Sequence, residues 1–223
     1  MAKFNKTQVL ATCAESGIVP IFYHKDIEVA KQLVKACYAG GIRVCEFTNR
    51  GDFAYEVYGE LIKFAAKECP DMIIGVGSII DAPTAALYLQ LGANFIVAPA
   101  FNAEVAKLAN SRLIPYMPGC GSITEITIAQ QAGCDVCKLF PADVLGTAFV
   151  KAVKGPMPWT NLMITGGVKP EEANIRGWFD AGATCVGMGS NLFPAETLAA
   201  KDWAKITKLC QEALAIVKSV RKK

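Results

Sequence analysis

Only one histidine, His24, occurs in the 223 residues of the chain. That scarcity excludes an HExxH metal helix and any site built on several histidines. A Ser-His-Asp or Cys-His arrangement would have to run through that single residue. No run of about 18 uncharged apolar residues is present, so no membrane span is expected. The first ten residues carry Lys3 and Lys6 but no apolar core segment, and a secretory signal is not expected either. Linkers, low-complexity stretches and a basic patch interleaved with aromatics are all missing, which argues against nucleic acid as a partner. The net charge of +3 sits at one end. Lys218, Arg221, Lys222 and Lys223 together leave residues 1–217 at roughly −1. Cations solubilising a helix C-terminus explain such a tail; an arm for a polyanion is the alternative.

What is abundant is apolar residues, at 52%, against 19% charged. The expectation is one α/β domain over 1–223, with a core large enough to exclude disorder as the main state. Nine cysteines (13, 37, 45, 69, 120, 134, 137, 185, 210) are odd in number and lie in apolar segments. Reduced thiols packing as small hydrophobes fit that distribution, and with it a cytoplasmic location. Cys134 and Cys137 form a C-x-x-C spacing, but no second pair completes a four-ligand site, so packing is favoured over redox or metal chemistry.

Eight β-type runs recur, at 18–23, 44–49, 73–78, 95–100, 114–119, 136–141, 162–167 and 185–190, starting 19 to 29 residues apart. Helix-periodic stretches separate them. Asp26 and Asp81 are suitable N-caps for two of these helices, and Gly40-Gly41 stops one. Strands apolar on both faces and separated by helices belong to parallel sheets. Eight such units with no compositional shift predict a single (β/α)8 barrel over about 17–195. An extra helix precedes it at 5–15 and a helical tail follows at 198–223. An open doubly wound sheet is the other architecture considered, but the turn after the first run reads Tyr23-His24-Lys25-Asp26, without the glycines that fold uses.

Reactive groups of a barrel sit at the C-terminal ends of its strands. Three charged residues fall there: Glu46, Arg50 and Lys138. Lys138 lies among Val136, Cys137, Leu139 and Phe140, where burial would favour a neutral amine, the nucleophile of a Schiff base. A structural lysine paired with a carboxylate is the alternative. Glu46, between Cys45 and Phe47, needs a partner, and Lys138 is the obvious one. The pair would suit imine-based carbon–carbon bond cleavage, or else form a buried salt bridge. Arg50 is a plausible bidentate clamp for a keto-acid carboxylate, to which Ser78 could add a hydroxyl. Glycine turns at Gly166-Gly167 and Gly187-Met188-Gly189-Ser190 end the seventh and eighth runs, where barrels bind phosphate.

These residues resemble a known family, the class I aldolases acting on 2-keto-3-deoxy-6-phosphogluconate (KDPG) and on 4-hydroxy-2-oxoglutarate (KHG). The resemblance runs from about Gly17 to Pro194. It rests on Ile18-Val19-Pro20, Gly41-Ile42-Arg43-Val44-Cys45-Glu46-Phe47-Thr48-Asn49-Arg50, Gly75-Val76-Gly77-Ser78, Pro118-Gly119, Lys138-Leu139-Phe140-Pro141-Ala142, Thr165-Gly166-Gly167-Val168 and Gly189-Ser190. It implies that Lys138 forms the pyruvate imine and that Glu46 is the acid/base. Arg50 and Ser78 would hold the carboxylate, while Thr48, Pro99 and Phe140 line the pocket. Gly166, Gly167, Gly189 and Ser190 would receive the phosphate. Also implied are a homotrimer, no metal or cofactor, and a place in Entner–Doudoroff breakdown of sugar acids.

The departures from the family pattern are Ser78 for the usual Thr, Ala98-Pro99-Ala100 for Ser-Pro-Gly, Met188-Gly189-Ser190 for Gly-Gly-Ser, and Cys120-Gly121-Ser122 after the fifth run. They touch the substrate end more than the chemistry. KDPG, its galactonate epimer, KHG and an unphosphorylated sugar acid therefore stay open as substrates. A sugar-phosphate isomerase or epimerase, and a non-catalytic sugar-phosphate-binding protein, are the readings of other classes.

Overall fold

Each apolar run becomes a short parallel strand in the computed structural model, which describes residues 2–221. The strands are β1 (Ile18–Phe22), β2 (Val44–Thr48), β3 (Ile73–Gly77), β4 (Ile96–Val97), β5 (Tyr116–Met117), β6 (Gly119–Cys120), β7 (Cys137–Leu139), β8 (Leu162–Thr165) and β9 (Cys185–Met188). The helices between and around them are α1 (Lys6–Ser16), α2 (Ile27–Ala39), α3 (Ala54–Glu68), α4 (Ala82–Gln90), α5 (Ala103–Ser111), α6 (Ile123–Gln131), α7 (Ala142–Lys154), α8 (Glu172–Ala181), α9 (Ala195–Ala199) and α10 (Trp203–Arg221).

Sequence reading counted eight strands, whereas the sheet has nine segments, because the fifth run is two. Pro118 has no N–H to contribute to a ladder, and the strand divides there. Before it, Tyr116 pairs with Ile96; after it, Gly119 pairs with Lys138. The carbonyl of Pro118 still accepts a hydrogen bond from Lys138 N at 2.9 Å. The strand order is β5-β4-β3-β2-β1-β9-β8-β7-β6, all parallel. Its two ends meet in the chain at Pro118, so the sheet curls into a nearly closed barrel and not an open doubly wound sheet.

Alternation along each strand sorts the side chains into two cores. Ile18, Phe22, Cys45, Phe47, Ile74, Val76, Cys137 and Leu139 face outward and pack with the helices. Val19, Val44, Ile73, Phe95, Val97, Met117, Val136, Met163 and Cys185 face inward. Val9 and Cys13 of α1 join this inner group, so the extra helix plugs the end of the barrel where the strands begin. Fully burying a side chain such as Phe95 contributes about 1.5–3 kcal/mol.

The predicted helix starts hold. Asp26 Oδ1 accepts from Glu28 N at 2.8 Å, and Asp81 Oδ1 accepts from Thr84 N at 2.7 Å. Asn5 and Gln8 form a reciprocal capping box at α1. At the other end, α10 lies across α2, and Gly40 allows the contact: a Cβ there would stand 2.6 Å from Cys210 Cβ. Lys218 and Arg221 belong to α10, while the predicted tail residues Lys222 and Lys223 lie outside the described residues. Among the described residues, no helix is long and apolar enough to cross a membrane.

Candidate active site

Among the described residues, the two charged side chains buried inside the barrel are Glu46 on β2, 1% exposed, and Lys138 on β7, 7% exposed. Their flanking residues decide this. Cys45 and Phe47 pack outward, which turns Glu46 inward; Cys137 and Leu139 do the same for Lys138. Both stand above the apolar floor of the barrel, on the side where the strands end.

Sequence reading expected Glu46 and Lys138 to pair, but they do not touch. Neither is in an ion pair among the described residues. Lys138 Nζ instead lies 4.9 Å from the centroid of the Phe140 ring. Glu46 Oε2 is buried without a hydrogen-bond partner, which costs about 1–3 kcal/mol. Burial pushes the Glu46 carboxyl above its ordinary range, and the positive charges of Lys138 and then Arg50 partly offset that. The attraction thus acts across a gap. Space for the carboxylate comes from Gly77, where a Cβ would collide with Glu46 Oε1.

Above the two groups, a cavity of about 520 Å³ opens at the C-terminal ends of the strands. Its wall contains Thr48, Arg50, Phe140, Gly166, Gly167, Gly189 and Ser190, seven of the residues singled out in the sequence. Arg50 follows β2 on a short loop. Asn49 anchors that loop, donating N to Gly77 O at 2.8 Å and accepting from Tyr88 Oη on Oδ1 at 2.8 Å. Arg50 Nε reaches Ser78 Oγ at 3.4 Å, so guanidinium and hydroxyl stand together. Ser78 holds this position with φ +62°, a left-handed conformation unusual for serine.

The two glycine turns also meet at the cavity. Among the described residues, the backbone N–H groups of Gly166, Gly167, Gly189 and Ser190 donate to no protein acceptor. Such a group of free amides suits an anion. Glu46, Lys138 and Ser78 are not themselves part of the cavity wall, and neither is Pro99, which is exposed just past β4.

Some wall residues escaped the sequence reading: Ile21, Tyr23, Thr165, Asn191 and Phe193. Thr165 Oγ1 is buried and unpartnered. The signal for it was the period-two step from inward-facing Met163 to the last residue of β8. The C-x-x-C pair reads as packing. Burial pushes the Cys134 thiol up to about 12, and a hydrogen bond with Cys120, then burial, pushes Cys137 up strongly.

The chain is similar to known proteins along most of its length. The sequence profile of the family described as "Aldolase: KDPG and KHG aldolase" matches residues 9–209. The chain is 33% identical over 211 residues to the KHG/KDPG aldolase of Escherichia coli K12, covering 94% of this chain and 96% of the relative. It is 35% identical over 210 residues to the 2-dehydro-3-deoxy-phosphogluconate aldolase of Pseudoalteromonas atlantica, covering 91% and 92%. Among solved structures, it is similar to KDPG aldolase from Legionella pneumophila, determined with pyruvate captured at low pH as a covalent carbinolamine intermediate. The TM-score is 0.84 and the identity 31%, covering 93% of this chain and 98% of the other.

Proposed function

The chain belongs to the KDPG and KHG aldolase family, and we propose that it is a class I aldolase working through an imine on Lys138. It cleaves KDPG, or KHG, reversibly to pyruvate and glyceraldehyde 3-phosphate, or glyoxylate. The observation that carries this reading is the placement of Lys138. Its amine is buried in the barrel with no carboxylate in contact, below a cavity that holds a guanidinium and free amides. A structural lysine would have a partner; a nucleophile needs a free lone pair.

Arg50 and Ser78 hold the substrate carboxylate, which sets the C2 carbonyl over Lys138. The amine adds to C2, and the carbinolamine loses water to give the imine, with Glu46 relaying the protons. Glu46 then takes the proton of the C4 hydroxyl as the C3–C4 bond breaks. The bonding electrons move into the imine, which is the electron sink, so the aldehyde leaves and an enamine stays. Glu46 returns its proton to C3, and water releases pyruvate and restores the amine. A Glu46 carboxyl raised by burial holds a proton more readily than an ordinary glutamate, which suits a group that must both accept and donate one. Thr48 and Phe140 shape the pocket, and the amides of Gly166, Gly167, Gly189 and Ser190 receive the phosphate of KDPG.

The same reading places the protein in the cytoplasm, as a homotrimer, in Entner–Doudoroff breakdown of sugar acids. Nine free buried cysteines support a reducing compartment. Exposed Phe53, Ile80, Ile123 and Val144, each just beyond the C-terminal end of a strand, offer apolar surface for assembly.

Pyruvate release tests the function. The wild-type chain is expected to form pyruvate from KDPG or KHG, and Lys138→Ala to form none while keeping its fold. No pyruvate from either substrate, or wild-type turnover in Lys138→Ala, would overturn it.

A further inference from the structure

A second cavity, of about 830 Å³, lies at the opposite end of the barrel. The segment leading into α1, the end of α4 and the loop between α5 and β5 enclose it. Phe4, Leu89, Leu113 and Ile114 make it apolar, and Lys3, Lys6 and Arg112 ring it. No carboxylate is among its described lining residues.

The side chains at its rim set its chemistry. Leu113 is 73% exposed, held there by the left-handed turn that closes α5 (φ +54°), in which Leu113 N donates to Asn110 O at 3.1 Å and Ile114 N to Ala109 O at 3.0 Å. The Arg112 guanidinium makes no hydrogen bond or ion pair among the described residues. Lys3 and Lys6 are held at the edge: Lys3 Nζ donates to Pro70 O at 2.6 Å, and Lys6 Nζ pairs with Asp135 Oδ2 at 2.6 Å. Asp135 offsets Lys6, which leaves the charges of Lys3 and Arg112 unbalanced. The wall itself is fixed, because the buried Asn94 accepts from the backbone N–H groups of Lys3 at 3.1 Å and Phe4 at 3.2 Å on Oδ1.

We propose that this cavity binds a small amphipathic organic anion. An apolar body of drug-like size fits against Phe4, Leu113 and Ile114, and its acid group meets Arg112 and Lys3. Apolar walls with unbalanced positive charge at the rim favour such a ligand over a simple ion and over an uncharged molecule with the same apolar body. The site is independent of the aldol reaction, which belongs to the other end of the barrel.

Titration of the full chain with 8-anilinonaphthalene-1-sulfonate, beside uncharged N-phenyl-1-naphthylamine, tests this. One saturable site per chain is expected. Arg112→Gln should weaken the sulfonate about tenfold, the order of one charge-assisted hydrogen bond, and leave the uncharged probe unaffected. Leu113→Gly relieves the left-handed backbone, so the fold should hold, yet both probes should weaken. Aldol turnover should be unchanged in both variants. Sulfonate affinity unaltered by either substitution would place binding elsewhere and overturn the proposal. So would equal loss of both probes in Arg112→Gln. A smaller sedimenting species for Leu113→Gly would mark a contact between copies of the chain, which also overturns it.

Discussion

The carboxylate of Glu46 occupies the volume that a Cβ on Gly77 would fill. A glycine on β3 therefore sets where the proposed acid/base on β2 can stand. Gly77→Ala should displace the carboxylate, and a shift near 1 Å in a reacting group costs about 100-fold. A kcat lowered by that order, with a folded barrel by circular dichroism, is expected. An unchanged kcat would show that the carboxylate's position is not what matters.

The burial of Glu46 makes stability depend on pH. Its folded pKa lies above the ordinary 4.5, so the folded state keeps a proton that the unfolded chain has released. That contribution is fully present below about 4.5 and is lost as pH rises through the raised folded value. Glu46→Gln has no such titration. Its Tm relative to wild type should therefore climb across that window and level off above it. A difference in Tm that stays constant with pH would contradict the burial argument.

Activity separates binding from chemistry at the same residue. Glu46→Gln should lower kcat by about 10² to 10⁴, the usual loss for a general acid–base. Substrate KM should move little, because the carboxylate is assigned to Arg50 and Ser78 in the proposed mechanism. A change confined to KM would reassign Glu46 to substrate binding.

Arg50 is bound to Ser78 through Nε at 3.4 Å, which orients the guanidinium toward the cavity. Lysine cannot reproduce a bidentate fork. Arg50→Lys should raise KM about tenfold or more, the order of one lost charge-assisted hydrogen bond. Wild-type KM in that variant would remove Arg50 from the carboxylate site.

Most of the architecture was legible because α/β barrels repeat one unit. Asp26 and Asp81 marked helix starts, and the apolar runs marked strands. The division at Pro118 was visible as a proline, but its effect depends on which neighbours pair on each side, information held by the tertiary fold. Lys138 and Glu46 stood out because a charge inside an apolar run has few explanations. Their lack of contact did not, since sequence alternation gives the face of a strand and not the distance across a barrel. Gly75 and Gly77 clear space for Phe95 and Glu46, a role that depends on which side chains the neighbouring strands bring against them. Tyr23 and Phe193 reach the cavity from loops, where no period predicts direction.

Borohydride reduction in the presence of pyruvate, followed by peptide mass mapping, tests the central claim most directly. The imine on Lys138 should be fixed as a secondary amine, one pyruvyl group on the peptide carrying that residue and none elsewhere. Folded protein with no adduct, or an adduct on another lysine, would contradict the account.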